Sequence, residues 1–408
     1  ISGLQVSVTI SPTPTMLPSP TPSWTILQKI EEAKRLLADA RPAVIGESIT
    51  YTEQRLAISN GKISTTTKQF KEPEKEIALA VLNIETGEVQ TFMIRKRAVE
   101  LLAPAGWQIE ILQRPNGIHW NGWNTAYHIT QPEQHVVIAN VYPDEKDTKV
   151  AQKKNGKTTY ITQRTVTYRL YIPYSPDLHS SGLAGIGEAY TKNMVSQAMK
   201  ELREASVRSR AIPDILVTDI FASKSDFFER IPLLEQTDLT EFEFDPVATI
   251  ERVKVIIAAN QTDAFNATCN TSSACGWVQF TPSTYNTIVK YYPTAKLIKD
   301  FKTGSADHLN SMKAAILLYD ENLKGLIAAH GKTIISDPKL EEYLASSYNG
   351  APRHVYTTLK ASIVGGISDW INALTSKTGG LKIETKGYLV KLRYLQEHST
   401  PSLTTFSS

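Results

Sequence analysis

Residues 276–284 read Gly-Trp-Val-Gln-Phe-Thr-Pro-Ser-Thr, and this stretch decides how the C-terminal half is interpreted. Gly276 lets a backbone pass close to another chain, because no Cβ obstructs the approach. Gln279 can both donate and accept hydrogen bonds, which suits hydroxyl and amide groups. Pro282 fits the first turn of a helix, where its missing N–H costs nothing. The stretch therefore predicts a binding loop that leads directly into a helix.

A second stretch follows about seventy residues later, where residues 347–355 read Ser-Tyr-Asn-Gly-Ala-Pro-Arg-His-Val. It offers a phenol (Tyr348) and an amide (Asn349) at the predicted end of a helix. Apolar residues recur at helical spacing throughout this half of the chain. Helices are predicted near 186–208, 225–237, 247–261, 282–291, 306–326, 338–349 and 352–373.

Together, the two stretches resemble a known pair of motifs. The first is similar to the Gly-Leu-Met-Gln-Phe-Met-Pro-x-Thr signature of soluble lytic transglycosylases and goose-type lysozymes, and the second to their Ala-Tyr-Asn-Ala-Gly-Pro-x-x-Val motif. The resemblance covers residues 225–375 and implies a helical, lysozyme-like domain that binds peptidoglycan glycan strands. It implies substrate-binding roles for Gly276, Trp277, Gln279, Phe280, Tyr348 and Asn349.

The resemblance also implies a catalytic glutamic acid at the end of the helix before the first motif. In the family this acid protonates the bond between N-acetylmuramic acid and N-acetylglucosamine. It then acts as a base toward the muramyl C6 hydroxyl, which yields a 1,6-anhydro product. The family places the acid fourteen or fifteen residues before the motif glycine, which here gives Thr262 or Gln261. Neither side chain is a carboxylic acid, and the nearest carboxyl is that of Asp263.

Two glutamates upstream are alternatives. Residues 231–235, ending in Glu235, resemble the Leu-Pro-x-x-Glu of some membrane-bound lytic transglycosylases, and residues 240–246, which contain Glu241, resemble their Glu-Ser-x-Phe-x-Pro. A helix over 247–261 would span ~21 Å and leave both glutamates near its far end. Either could reach the motif only if 247–275 is an insertion that loops away.

These alternatives give two functional hypotheses. In the first, the chain is a lytic transglycosylase that uses Glu235 or Asp263 as its acid. In the second, the helix over 247–261 is the family's catalytic helix, Thr262 or Gln261 replaces the acid, and the chain is a glycan-binding or scaffold protein of a cell-envelope assembly.

The two cysteines lie in one short segment, at Cys269 and Cys275. Two thiols cannot form a four-thiolate zinc site, and no metal site is expected. The close spacing favours a disulfide that closes a small loop, with two unpaired thiols as the alternative. A disulfide indicates an oxidising, extracytoplasmic location in the cell envelope or outside the cell.

The N-terminal half carries a different pattern. After an amphipathic helix that ends before Pro42, polar and apolar residues alternate with period two, which predicts strands. Residues 76–84 and 89–94 read as a β-hairpin, and further strands are expected near 107–113, 134–142 and 158–173. The Trp-containing loop 119–123 could bind a sugar or peptide, but closing one end of the β domain is the favoured interpretation.

Length and composition set the outer limits. A chain of 408 residues suggests two or three domains, and the two halves together predict an α+β fold. We expect a proline-rich tether at 1–22, a helix plus β-rich domain at 23–180, a helical lysozyme-like domain at 181–395 and a tail at 396–408. The tether fits a membrane anchor or envelope assembly upstream, with a disordered tail as the alternative.

The charge balance and the motifs exclude other classes. Forty-four basic and forty-one acidic residues give a net charge of +3, which argues against nucleic acid as a partner. No run of apolar residues approaches the ~20 that a membrane span needs. The glycines near 185 lack a dinucleotide-binding pattern, and no cofactor is expected.

Overall fold

The computed structural model describes residues 24–59, 62–98, 100–112, 125–154, 157–178, 181–270 and 272–398. It confirms the α+β prediction, with a sheet-rich half followed by a helical half. The proline-rich segment 1–22 and the loop 119–123 lie outside the described residues. The final helix runs to His398 and so includes the first residues of the expected tail, whereas residues 399–408 are not described.

The described residues of the sheet-rich half form one α-helix and two sheets. The helix is α1 (Ile26–Leu37). The strands are β1 (Val44–Ser59), β2 (Lys62–Asn83), β3 (Val89–Arg97), β4 (Glu100–Leu102), β5 (Gln108–Ile111), β6 (Tyr127–Gln131), β7 (His135–Lys154) and β8 (Lys157–Tyr171). The larger sheet has the order β4-β3-β2-β7-β8, with β1 also paired to β2, and β5 and β6 form a separate pair. All described pairings are antiparallel.

The C-terminal part of β2 is the centre of this half, because both of its faces are buried. Ile77, Leu79 and Val81 alternate with Ala78, Ala80 and Leu82, and all six are almost completely inaccessible. One set packs with β5 and β6, and the other packs with α1. The predicted hairpin over 76–94 is confirmed, with Leu82 opposite Val89. Its first strand reads as a continuous apolar run because both of its faces are buried.

Two long ribbons continue beyond this packed region. The first pairs β1 with the N-terminal part of β2, from Val44 opposite Lys75 to Ser59 opposite Lys62. The second pairs β7 with β8, from Asn140 opposite Tyr171 to Lys154 opposite Lys157. Strand β7 is therefore much longer than the predicted strand over 134–142. The reason is that its distal part carries no apolar face, so periodicity gave no signal there.

The helical half follows the predicted pattern, with several shorter elements. Its helices are α2 (Ser181–Glu204), α3 (Val217–Ile220), α4 (Ser225–Glu229), α5 (Ile231–Gln236), α6 (Leu239–Phe244), α7 (Pro246–Asn260), α8 (Pro282–Tyr291), α9 (Phe301–Ala306), α10 (His308–His330), α11 (Leu340–Asn349), α12 (Pro352–Gly365) and α13 (Ile383–His398). The single helix predicted over 225–237 is divided into α4 and α5. The helix predicted over 352–373 ends earlier, because Gly366 adopts a left-handed conformation that closes α12.

Helix α7 ties the two halves together at its last residue. The Asn260 side chain accepts a hydrogen bond from the Ile172 backbone N–H at 2.9 Å, and its amide donates to the Ile172 carbonyl at 2.9 Å. Asn260 is 2% exposed. One buried amide thus satisfies both backbone groups of the residue that follows β8.

Replacing Asn260 with Ala is expected to lower the free energy of unfolding by about 2–4 kcal/mol, because two buried backbone groups of Ile172 lose their partner. Urea denaturation followed by circular dichroism measures the change. Asn266→Ala, which removes only a contact to the exposed Asp263, serves as the control and is expected to cost less than about 0.5 kcal/mol. Equal effects of the two substitutions would contradict the bridging role of Asn260.

Candidate functional site

Helix α5 places Glu235 in its last turn. Pro232 lies in the first turn, where it is compatible with helical geometry. The helix ends at Gln236, and the Thr237 hydroxyl donates back to the Leu233 carbonyl at 2.7 Å. A glutamate at the C-terminal end of a helix is the arrangement that the resemblance requires.

The residue after Glu235 connects this helix to the first motif. The Gln236 amide Nε2 donates to the carbonyls of Gly276 and Trp277, at 3.1 and 3.0 Å. Glu235 is therefore close to the motif, and the expectation that it ends nearer the far side is wrong. The intervening segment leaves this position after Thr237 and returns to it at Gly276.

The Glu235 carboxyl has an environment that favours its protonated form. Burial raises its pKa to about 7, while a hydrogen bond from the Tyr388 hydroxyl and the positive charge of Lys391 act in the opposite direction. The Tyr388 Oη donates to Glu235 Oε1 at 2.8 Å. Glu235 as a whole residue is half-buried. A carboxyl with a pKa near 7 can exchange a proton near neutral pH.

The C-terminal end of α11 lies on the same side of the first motif. The Tyr348 hydroxyl donates to the Val278 carbonyl at 2.6 Å. The charge of Glu235 contributes to the raised pKa of Tyr348, after burial. The Asn349 Oδ1 is buried and accepts no hydrogen bond from the described residues. A buried acceptor without a partner can be satisfied by a ligand N–H or O–H.

Buried ion pairs hold α4, α11 and α13 together around this site. Glu341, at the start of α11, accepts two hydrogen bonds from Arg230, at 2.7 and 2.8 Å, and one from Gln396 of α13 at 2.7 Å. The next residue, Glu342, accepts from Arg393 of α13 at 2.9 and 3.0 Å. Because both carboxylates are occupied by hydrogen bonds within the protein, Glu341 and Glu342 have a structural role.

The structure corrects two of the expected substrate-binding residues. Trp277 is completely buried, stacks on His308 with ring centroids 4.2 Å apart, and donates from Nε1 to Ser311 at 2.8 Å. Phe280 is 2% exposed and packs edge-to-face on Tyr285. Both side chains belong to the hydrophobic core, because large apolar side chains in a tight loop gain more from burial than from contact with water.

Gly276 has a structural reason for being glycine. Its φ is +81°, and a Cβ at this position would lie 2.1 Å from the Ser305 carbonyl oxygen. The close neighbour is therefore the protein's own backbone, rather than a ligand. Gln279 also has a positive φ, of +50°, and its Nε2 donates to the Gly276 carbonyl at 2.8 Å and to the Thr268 carbonyl at 3.2 Å. Gln279 thus braces the loop.

The other residues considered for the position of the acid have different surroundings. Gln261, Thr262 and Asp263 form a short 3₁₀ turn after α7, and all three are exposed. Asp263 therefore lacks the burial that a general acid requires. Glu241 forms a buried ion pair with Arg252 at 3.0 Å, which gives it a structural role. Of these candidates, Glu235 alone combines a carboxyl whose pKa burial raises with a neighbouring residue, Gln236, that contacts the motif.

Cys269 and Cys275 form the predicted disulfide. It closes the loop that leads into Gly276, and the Gly276 N–H donates to the Thr268 carbonyl at 3.0 Å. The disulfide is compatible with an extracytoplasmic protein. Among the residues the structure describes, no helix has the length and apolar character to cross a membrane. The same residues contain no cluster of three or more His, Cys, Asp or Glu that could hold a metal ion.

Sequence reasoning missed two residues of this site, Tyr388 and Lys391. Both lie on α13, beyond the region of the resemblance, and neither belongs to a motif. Only the packing of α13 against α5 brings them to Glu235.

Comparisons with known proteins add no further information about the site. No protein-family description matches the chain, and no curated protein or solved structure is significantly similar to it.

Gly276→Ala is expected to destabilise the protein much more than Gly106→Ala. Both glycines have a positive φ, but a Cβ at Gly106 meets no atom within 4 Å. The left-handed strain of about 1–2 kcal/mol is common to both variants, and the contact with Ser305 adds about 1–3 kcal/mol in Gly276→Ala alone. Thermal unfolding of the two variants measures the difference. Equal melting temperatures would show that the space around Gly276 is open.

Proposed function

We propose that the chain is a lytic transglycosylase that binds peptidoglycan glycan strands and cleaves the bond between N-acetylmuramic acid and N-acetylglucosamine. The observation that supports this function best is Glu235, a half-buried residue next to the first motif whose carboxyl has a pKa raised to about 7 by burial. The Asn349 Oδ1, a buried acceptor with no partner among the described residues, is the proposed binding group on the second motif. A glutamate on the exposed surface would have neither the raised pKa nor the position beside the first motif.

In the proposed first step, Glu235 acts as the general acid. The Tyr388 hydroxyl donates to Oε1, which leaves Oε2 to carry the transferable proton. This proton passes to the glycosidic oxygen as the bond between that oxygen and muramyl C1 breaks, with both electrons remaining on the oxygen. Positive charge then develops at C1.

In the proposed second step, Glu235 acts as the base. The carboxylate accepts the proton of the muramyl C6 hydroxyl, and the C6 oxygen forms a bond to C1. The product is a 1,6-anhydromuramyl end, and Glu235 is protonated again. One carboxyl can serve both steps because its pKa lies near neutral pH.

Glu235→Gln is expected to reduce the release of 1,6-anhydromuramyl products from purified peptidoglycan by 10²–10⁴-fold, because the amide cannot donate the proton as a carboxylic acid does. Liquid chromatography with mass spectrometry measures the products. Asp263→Asn is expected to retain the wild-type rate. Unchanged cleavage by Glu235→Gln would contradict the proposed role, and loss of cleavage by Asp263→Asn would move that role to Asp263.

Sedimentation of each variant with insoluble peptidoglycan separates binding from cleavage. Glu235→Gln is expected to sediment with the glycan as the wild type does. If the wild type binds but releases no anhydro product, the chain is a glycan-binding module and the transglycosylase proposal fails.

The rate of cleavage is expected to fall as pH rises above about 7. The general acid must be protonated, and the fraction of protonated Glu235 falls about tenfold for each pH unit above its pKa. Initial rates between pH 5 and pH 9, on substrate below saturation, measure this limb. A rate that keeps rising to pH 9 would contradict the assignment of Glu235 as the acid.

A further inference from the structure

Lys391 of α13 is a buried lysine whose ammonium contacts the helix that carries Glu235. It is 7% exposed. Its Nζ donates to the Leu234 carbonyl at 2.5 Å and to the Thr237 carbonyl at 2.7 Å. These carbonyls belong to the residue before Glu235 and to the residue that directly follows α5.

These contacts satisfy groups that the helix itself leaves open. The last carbonyls of an α-helix have no partner within the helix. At the end of α5, the Thr237 hydroxyl donates to the Leu233 carbonyl, and the Lys391 ammonium donates to the carbonyls of Leu234 and Thr237. Helix α5 has six residues and is too short to be stable alone, so its geometry depends on such contacts.

Lys391 is also on the same face of α13 as Tyr388, because the two residues are three positions apart. The Lys391 Nζ lies 5.5 Å from the centre of the Tyr388 ring, and the Tyr388 hydroxyl contacts Glu235 directly. One face of α13 thus presents a hydrogen-bond donor to the carboxyl and a positive charge to the turn that holds it.

We propose that Lys391 is a positioning residue for Glu235: it fixes the end of α5 through the Leu234 and Thr237 carbonyls and places a positive charge near the carboxylate. The catalytic meaning of this arrangement rests on the proposed function of Glu235. The geometry itself does not depend on that function.

Several titratable groups raise or lower the pKa values of Glu235 and Lys391. From α13, Tyr388 and Lys391 lower the pKa of Glu235, whereas the charge of Glu384 raises it. Tyr348 of α11 and Tyr319 of α10 face the same carboxyl, and burial raises the pKa of both phenols, so they remain neutral. Burial lowers the pKa of Lys391 to about 8, against the charges of Glu235, Asp238 and Glu384.

The charge matters most after the first proton transfer. Glu235 is then a carboxylate in a largely buried position, where an unpaired charge is costly. The nearby ammonium stabilises that carboxylate relative to the carboxylic acid. Without the positive charge, Glu235 would hold its proton more tightly, and its titration would move to higher pH.

The test compares three single variants of the full chain. Lys391→Met removes the charge and the donors, Lys391→Arg retains both, and Lys386→Met removes an exposed-side lysine of the same helix that contacts Asn372. The pH dependence of the melting temperature is measured for each, with and without Glu235→Gln, between pH 5 and pH 9. The difference within each pair reports the titration of Glu235 without requiring activity.

Lys391→Met is expected to raise the midpoint of the Glu235 titration by about one pH unit or more, because an opposite charge nearby lowers a carboxyl pKa by about 1–3 units. Lys391→Arg and Lys386→Met are expected to keep the wild-type midpoint. In cleavage assays, Lys391→Met is expected to lower kcat roughly 10- to 100-fold with little change in KM, and to move the alkaline limb upward by the same interval.

An unchanged Glu235 midpoint in Lys391→Met would overturn the proposal. If that variant does not fold, Lys391→Gln replaces it as the neutral variant and must show the same upward shift for the proposal to stand. A shifted midpoint in a chain that never releases anhydro products would support the Lys391–Glu235 coupling while showing that the proposed function fails. Shifted midpoints in both Lys391→Met and Lys386→Met would also overturn the proposal, since general charge removal would then be the cause.

Discussion

The hydrogen bonds from the Gln236 amide to the carbonyls of Gly276 and Trp277 are the constraint on which the site depends. They join residues forty positions apart and bring the end of α5 to the first motif. The chain between them must therefore leave from Thr237 and return at Gly276. Helices α6 and α7 and the disulfide loop lie within that segment.

Helix α7 lies within this segment and has a different role. Its apolar face packs in the helical core, while Asn260 at its end provides both hydrogen bonds to Ile172 beyond β8. Helix α7, which corresponds to the helix predicted over 247–261, thus connects the two halves of the molecule. Counting residues back from Gly276 points to Gln261 and Thr262, which follow this helix, because a count along the sequence does not show which helix packs beside the motif.

Much of the fold could be predicted because its signals are local. The period-two pattern gave the hairpin around Gly87, and the short cysteine spacing gave the disulfide. The site was less accessible, because it depends on contacts between distant elements. Tyr388 carries no local mark of its contact with Glu235, and Trp277 lies in a recognisable motif although its ring is in the core. A motif shows where the backbone passes, but packing decides which of its side chains reach the solvent.

The state of Glu235 follows from a competition between burial and two nearby groups. Burial favours the neutral acid, because a charged carboxylate loses its contact with water. The Tyr388 hydroxyl and the Lys391 ammonium act in the opposite direction, and the resulting pKa of Glu235 is about 7. Both groups come from α13, which Glu341 and Glu342 hold in place through Gln396 and Arg393. The protonation state of Glu235 thus depends on the packing of α5 against the first motif and on the two groups that α13 supplies. A carboxyl that must give up a proton and then take one back needs both.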